Sequence, residues 1–483
     1  MSSAGILMPV SSLPSHHGIG DFGEDCFLFL DYVEKSGLKI WQILPINPLG
    51  YGNSPYQPYS SFAGDEIYIN LNTLTLEGLL TEIPDFQNKA KRVDYEKVRK
   101  FKEFYLKQAF KKFIPSIEYF EFIEQPWVEQ YGIYITLKKK NGMCGWNEWS
   151  EIEKNYLNEK KLDISKYKED ITYEMFIQYI FYRQWMKVKK YANEKGIQII
   201  GDVPFYVGID SLDVWANKEY FLLEADGKPT FIAGVPPDYF SATGQRWGNP
   251  IYDWEKMSET KYKFWIERLS YTQKLFDVIR IDHFRAFDTY WKIPSSCPTA
   301  IEGAWFETPG EDFFHTLIKE IPEINIIVED LGDLTKGVHK LRDDFGFKGM
   351  KVLQFAFDPM ETNNDFPDRE NMLIYTGTHD NQTILGWYTS QSKKLQKAII
   401  KQLVSSGYDS DEISWRFISM ALYSVADIAI IPMQDFLGLN DNARFNTPGT
   451  VGSPNWEWKL ADFKQFKLMI NKINNLIKMS KRA

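Results

Sequence analysis

The stretch FDVIRIDHFRAF, residues 276–287, is an apolar run of strand length that ends in arginine, aspartate and histidine. Side chains alternate across a strand, so Val278, Arg280 and Asp282 share one face while Ile279, Ile281 and His283 share the other. Seven more runs have strand length: GILMPV (5–10), IWQILPI (40–46), IQIIGDVP (197–204), INIIVED (324–330), MKVLQFAF (350–357), MLIYTGTHD (372–380) and IAIIPMQD (428–435). Most are separated by segments of helical periodicity. Eight strands in that alternation predict an α/β protein built on a (β/α)₈ TIM barrel, with inserted subdomains on the C-terminal face of the barrel.

Helices fit the spaces between several strands. GEDCFLFLDYVEKSG (23–37) has Phe27, Leu30 and Val33 at three-residue spacing and Gly37 as its stop. The segment from Tyr173 to Gly196 carries an apolar and aromatic load that suits a helix buried against the barrel. Two gaps exceed a simple crossover. Residues 70–170 read as a mostly helical insertion after the second strand, and residues 205–257 as a loop-rich insertion after the third. No repeat, low-complexity tract or linker divides the chain, so residues 1–483 are expected to form a single catalytic barrel with these insertions embedded.

The bulk properties narrow the partners. A net charge of -9 with interspersed lysines and acids excludes nucleic acid or an anionic membrane as a main partner. Three cysteines, far apart and without a CxxC pair, suit a reducing cytoplasm. Neither an export signal nor a continuous apolar span is readable. His16 and His17 sit in a Ser/Pro/Gly loop and read as loop residues, not as a metal site.

Other strand ends are charged too: Asp202, then Glu329 with Asp330, then His379 with Asp380. A single acid there is commonly a helix cap or an ion-pair partner for the next loop. Several on the rim of one barrel would converge on a pocket, where clustered carboxylates raise one another's pKa values. A metal site is disfavoured because the fixed charge of Arg280 would oppose a cation. Arg280 instead supplies the counter-charge that a carboxylate nucleophile at Asp282 needs. Glu329, at the end of an apolar strand and in the field of other acids, suits a proton donor, which leaves Asp380 beside His379 to hold sugar hydroxyls. Two carboxylates of opposite protonation are what glycosidic cleavage requires. The loops 50–65 and 233–254 alternate aromatic residues with Gly, Pro and short polar residues. Such rings either pack the loops onto the barrel or stack on sugar faces.

Here the chain resembles the α-amylase clan, through GDVPFYV, RIDHFRA, VEDLG and THDN, and within it the amylomaltases. WQILPINPLGYGNSPYQPYSSFAG, GVPPDYFSATGQRWGNPIYDW and NTPGTVGSPNWEWK carry the closer likeness, which runs over nearly the whole chain. The resemblance implies a retaining 4-α-glucanotransferase with Asp282 as nucleophile, Glu329 as acid/base and Asp380 as transition-state stabiliser. It places Tyr56, Asp202, Arg280 and His379 on the sugar at the cleavage point, and Asp238, Phe240 and Trp247 on a loop over the acceptor side; Ser54, beside Tyr56, is added to them. Its partners would be an α-1,4-glucan donor and a glucan or glucose acceptor, acting on a monomer or homodimer, with no cofactor and no required metal. An α-glucan hydrolase or a non-catalytic glucan-binding protein are the alternatives. The DVPFYVG following Asp202 departs from the Asn-His pair of ordinary α-amylases. ARFN (443–446) and Lys459 depart from the Arg-Met-Asn and Arg of many amylomaltases, which puts fine acceptor contacts in question.

Overall fold

A computed structural model describes residues 2–86, 92–237, 241–332, 334–357 and 369–483. Its strands, in chain order, are β1 (Ser3–Leu7), β2 (Ile40–Gln42), β3 (Gln198–Val203), β4 (Phe231–Val235), β5 (Gln245–Pro250), β6 (Val278–Ile281), β7 (Thr289–Pro294), β8 (Ala304–Glu307), β9 (Ile326–Val328), β10 (Gly349–Val352), β11 (Met372–Tyr375) and β12 (Ile428–Pro432). Eight of them pair in parallel in the order β10-β11-β12-β1-β2-β3-β6-β9. The ring closes where Ile327 bridges Lys348 in parallel and the Val328 N–H donates to the Lys348 carbonyl at 2.9 Å. This is a (β/α)₈ barrel, and all eight strands lie within or overlap the apolar runs read from the sequence. They are shorter than those runs, because the chain leaves the ladder as the loops at the strand ends begin.

The strands are apolar without alternation because both faces are covered, by the packed interior on one side and by helices on the other. Ile6, Trp41, Ile199, Ile279, Ile327, Leu373 and Ile430 are all buried. Gly5 is required by close approach: a Cβ there would stand 2.6 Å from side-chain atoms of Ile40 and Ile430. The helix Glu24–Lys35 buries Cys26, Phe29, Leu30 and Val33, so its core face sits slightly to one side of the expected Phe27. It ends before Gly37, whose φ is +78°. No helix among the described residues is long and apolar enough to cross a membrane.

The long helix Lys168–Glu194 turns Phe176, Ile177, Ile180, Phe181, Trp185 and Val188 into the core. Two of its amides pin the loop that follows β2. Gln178 accepts from the Gly64 N–H at 2.8 Å and donates to the Gly64 carbonyl at 3.0 Å. Gln184 treats Asn70 in the same way, at 2.7 and 3.0 Å. Between β2 and this helix stand the helices Tyr95–Lys112, Ile117–Ile123 and Pro126–Lys140. The buried Lys102 donates to Asp21 at 2.9 Å and to the carbonyls of Ile67 and Ile69 at 2.6 and 2.8 Å. Arg99 grips both Asp65 oxygens at 2.9 and 2.7 Å.

The segment read as loop-rich holds more regular structure than expected. Its strands β4 and β5 join β7 and β8 in an antiparallel sheet ordered β5-β4-β7-β8. The signal was weak because β4 and β5 are interrupted by Gly and Pro and their register shifts between Ile232 and Gly234. This sheet carries Trp247, on β5, and begins β7 five residues after Phe284 of the opening stretch.

Candidate active site

At the C-terminal ends of β3, β6 and β9 the backbone pairing continues past the strands. The Asp282 N–H donates to the Val203 carbonyl at 3.0 Å, the Glu329 N–H to Ile281 at 2.9 Å, and the Phe284 N–H to Glu329 at 3.1 Å. These bonds hold Asp202, Asp282 and Glu329 side by side on one rim. On β3 and β6, Asp202 is the register partner of Arg280. The Arg280 Nη1 reaches both Asp202 oxygens at 2.7 and 2.8 Å and the Asp282 Oδ1 at 3.0 Å. Burial alone would lower the Arg280 guanidinium, but Asp202 and Asp282 push it well above its ordinary value. It is a fixed cation between two carboxylates.

The chain of contacts continues across the barrel mouth. The Tyr56 hydroxyl donates to Asp202 Oδ2 at 2.8 Å and stands 3.2 Å from His379 Nδ1, with the two rings stacked 4.8 Å apart. With its proton directed at Asp202, the hydroxyl presents a lone pair to His379. The other ring nitrogen, Nε2, lies 3.3 Å from Asp380 Oδ2. Burial would lower His379, but Asp380 outweighs it and raises the imidazole above its ordinary value. The Tyr56 hydroxyl and the Asp380 carboxylate each face one ring nitrogen. Burial pulls Asp380 upward, yet His379 and the Asn446 amide, 2.6 Å from Oδ1, hold its carboxyl down at about 2. The THDN turn is self-braced, since Asn381 Oδ1 accepts from the Thr378 N–H at 2.9 Å and from its hydroxyl at 2.8 Å.

Glu329 is treated differently. Its carboxylate accepts from the N–H groups of His283 at 2.9 Å and Leu331 at 3.1 Å, and it forms no ion pair among the described residues. Burial first, and the Asp282 charge second, raise it to about 7. One carboxyl is thus protonated near neutrality while Asp380 is firmly ionised. Asp282 and Asp380 open toward solvent, with 29% and 46% of their side chains exposed, whereas Asp202, Arg280 and His379 are sealed behind them.

Among the sequence-derived candidates, Tyr56, Asp202, Arg280, Asp282, Glu329, His379 and Asp380 come together in this one cluster. Trp247 stands at its edge, 4.8 Å from the His283 ring and perpendicular to it. Ser54 uses its hydroxyl to accept from the Tyr56 N–H at 3.2 Å and so shapes the turn that presents Tyr56. Asp238 and Phe240 lie outside the described residues. Asp330 takes the structural option open to any strand-end acid: it accepts from Arg342 at 2.6 Å and from the Met350 N–H at 2.7 Å. His283, expected to continue the outward face of β6, instead turns to φ +54°. His16 faces Asp85 at 3.2 Å in an exposed pair, and His17 packs on Phe101.

Three residues of the site were not singled out by sequence. Asn446 bonds the Asp380 side chain, and Arg444 donates to the Asp380 carbonyl at 2.6 Å. Trp456 brings its ring within 5.8 Å of Tyr56 and 6.0 Å of His379. The signal lay in ARFN and NWEW, but nothing in their spacing tells that this loop returns over the barrel mouth. The departing residue of ARFN, Phe445, is buried against Trp458 at 5.4 Å, so it serves packing, while the Arg and Asn on either side face Asp380. Lys459 is also buried.

Residues 8–465 match the family model described as 4-alpha-glucanotransferase. A 4-alpha-glucanotransferase of Synechocystis is 42% identical over 475 residues, covering 94% of this chain and 93% of its relative. One from Thermus thermophilus is 41% identical over 476 residues, with 94% of each chain covered. Among solved structures, amylomaltase from Streptococcus agalactiae in complex with acarbose superposes with a TM-score of 0.94 at 34% identity over 100% of both chains.

Proposed function

From the premise that this chain belongs to the 4-alpha-glucanotransferase family, we propose that it moves α-1,4-glucan segments from a donor maltodextrin to the 4-hydroxyl of a second glucan or of glucose, by retaining double displacement at the cluster around Asp282. The observation that carries this reading is the unbroken chain Asp282–Arg280–Asp202–Tyr56–His379–Asp380, with the raised Glu329 beside it. Asp282 attacks the anomeric carbon while Glu329 gives its proton to the leaving sugar oxygen, and the glucosyl unit becomes an ester of Asp282. Glu329, now a carboxylate, takes the proton from the incoming 4-hydroxyl as that oxygen displaces Asp282. The anomeric configuration is retained through two inversions.

Arg280 balances the charge of Asp282 as it is used and restored. Asp380, held ionised, faces the positive charge that develops on the sugar ring in each transition state. Tyr56 and His379 form a flat stacked wall against that ring, and Asp202 fixes Arg280 and Tyr56 at once. Trp247 forms the acceptor side, where an aromatic surface favours sugar over water at the ester.

The test is incubation with maltotriose alone, in EDTA, followed by chromatography of all products. Free glucose together with longer oligomers at constant total reducing ends is the expected result. Rising reducing ends with only shorter sugars would make the protein a hydrolase and remove the acceptor role of Trp247. Asp282→Ala and Glu329→Gln should each lose at least about 10²-fold in turnover. Near-native activity in either variant would contradict the role given to it.

A further inference from the structure

The opening stretch leaves one residue unused, His283. It sits one position after Asp282 with φ +54° and ψ +48°, a left-handed conformation that non-glycine residues seldom adopt. Two contacts meet at this turn. The His283 N–H donates to Glu329 Oε2, 2.9 Å away. The left-handed backbone turns the imidazole edge-to-face against Trp247, at 4.8 Å and 86°, with Tyr206 behind it at 6.1 Å. The backbone of Trp247 is held by Gln57, whose amide donates to the Trp247 carbonyl at 3.3 Å. An extended residue at position 283 would continue the β6 alternation and carry its side chain away from Trp247.

Resting on the proposed function above, we propose that His283 is a positioning residue that ties the acceptor-side ring of Trp247 to the acid/base carboxyl of Glu329. The acceptor sugar and the group that must deprotonate it are then located by one backbone unit, so an acceptor stacked on Trp247 meets Glu329 in register. The imidazole itself is a neutral spacer, because burial, helped by the Arg285 charge, pushes it down to about 4 against the opposing pull of Asp282. A neutral ring can pack on Trp247 without placing a second cation beside Glu329.

The two contacts are separable by substitution. Asn and Gly accept a left-handed backbone, so His283→Asn and His283→Gly keep the N–H aimed at Glu329 and remove the ring. Val resists it, so His283→Val removes the ring and also strains the turn that carries the N–H. Transfer is measured with maltotetraose as donor and radiolabelled glucose as acceptor, following label in longer glucans, total reducing ends and the pH profile. Thermal unfolding checks that each variant is folded. For Asn and Gly, acceptor KM should rise about threefold to tenfold, on the scale of one lost aromatic contact. The hydrolysed share should rise with it, while donor KM and the basic limb of the profile stay in place.

For Val the basic limb should also move upward. The N–H bond from His283 favours the Glu329 carboxylate, and losing it leaves Glu329 facing Asp282, Arg280, Asp330 and the Leu331 N–H. Unchanged acceptor KM and hydrolysed share in both Asn and Gly would overturn the proposal, whatever Val does. A folded Val variant with an unmoved limb would remove the Glu329 half of it. If the wild-type protein incorporates no label, the transferase reading itself fails, which is a different result from transfer that ignores position 283.

Discussion

Glu329 is received by two backbone N–H groups, while the acids around it are received by basic side chains: Asp202 and Asp282 by Arg280, Asp380 by His379. That difference sets their protonation. A carboxyl raised from 4.5 to about 7 binds more protons in the folded chain than in the unfolded one. Its burden on stability is absent below the unfolded pKa, grows as pH rises from 4.5 toward 7 and levels off above that, at on the order of 3 kcal/mol. Glu329→Gln should therefore unfold at a higher temperature than the wild-type protein at pH 8, and the gap should close toward pH 5. An equal gap at both pH values, by calorimetry, would show that Glu329 does not titrate in this range. Asn446→Ala removes a bond that holds Asp380 ionised and aimed. Turnover should fall by about tenfold, the scale of a lost hydrogen bond to a charged group, with little change in donor KM. A pure KM effect would place Asn446 on the sugar instead.

At the level of elements, the strands were legible because a buried parallel strand has a continuous apolar run and little else can. The residues after them were not. Alternation puts Arg280 and Asp282 on one side, and there Arg280 does bond both Asp282 and Asp202, but at His283 the strand has ended and the period no longer applies. The antiparallel sheet was missed for the related reason that short strands broken by Gly and Pro carry no period to detect. The helix Tyr95–Lys112 is fastened to the loop after β2 by Lys102, whose amine is wholly buried with Asp21 and two carbonyls. Lys102→Met keeps the bulk but leaves the buried Asp21 without its ammonium partner, held only by the Asn70 amide, the Gly23 N–H and the nearby His17. Denaturant unfolding should show a loss of about 3–5 kcal/mol. A loss below 1 kcal/mol would mean that water replaces the amine and that the fastening is weak.

For the whole molecule, the helical insertion and the barrel share one core. Val98, Leu106, Ala109, Tyr119 and Phe122 belong to the same buried cluster as Ile40, Ile180, Trp185 and Ile430. Residues 70–170 are therefore expected to unfold together with the barrel and not as a separate domain. Urea unfolding followed by far-UV circular dichroism, tryptophan fluorescence and maltotriose transfer should give coincident curves. A first transition that melts helix while transfer survives would make the insertion an independent unit.

The eight strands, their order along the chain and the acids at their ends could be read from residue type and spacing, because burial on both faces and the cost of grouped charges leave marks in the local sequence. Where each acid's charge goes could not. Asp330 and Glu329 are neighbours on one strand end, yet one is consumed by Arg342 and the other is left to titrate near neutrality. Arg444, Asn446 and Trp456 reach Asp380, Tyr56 and His379 across more than sixty positions of chain. Electrostatic environment and long-range hydrogen bonding depend on which chain segments fold back over the barrel mouth, and only the closed tertiary structure sets that.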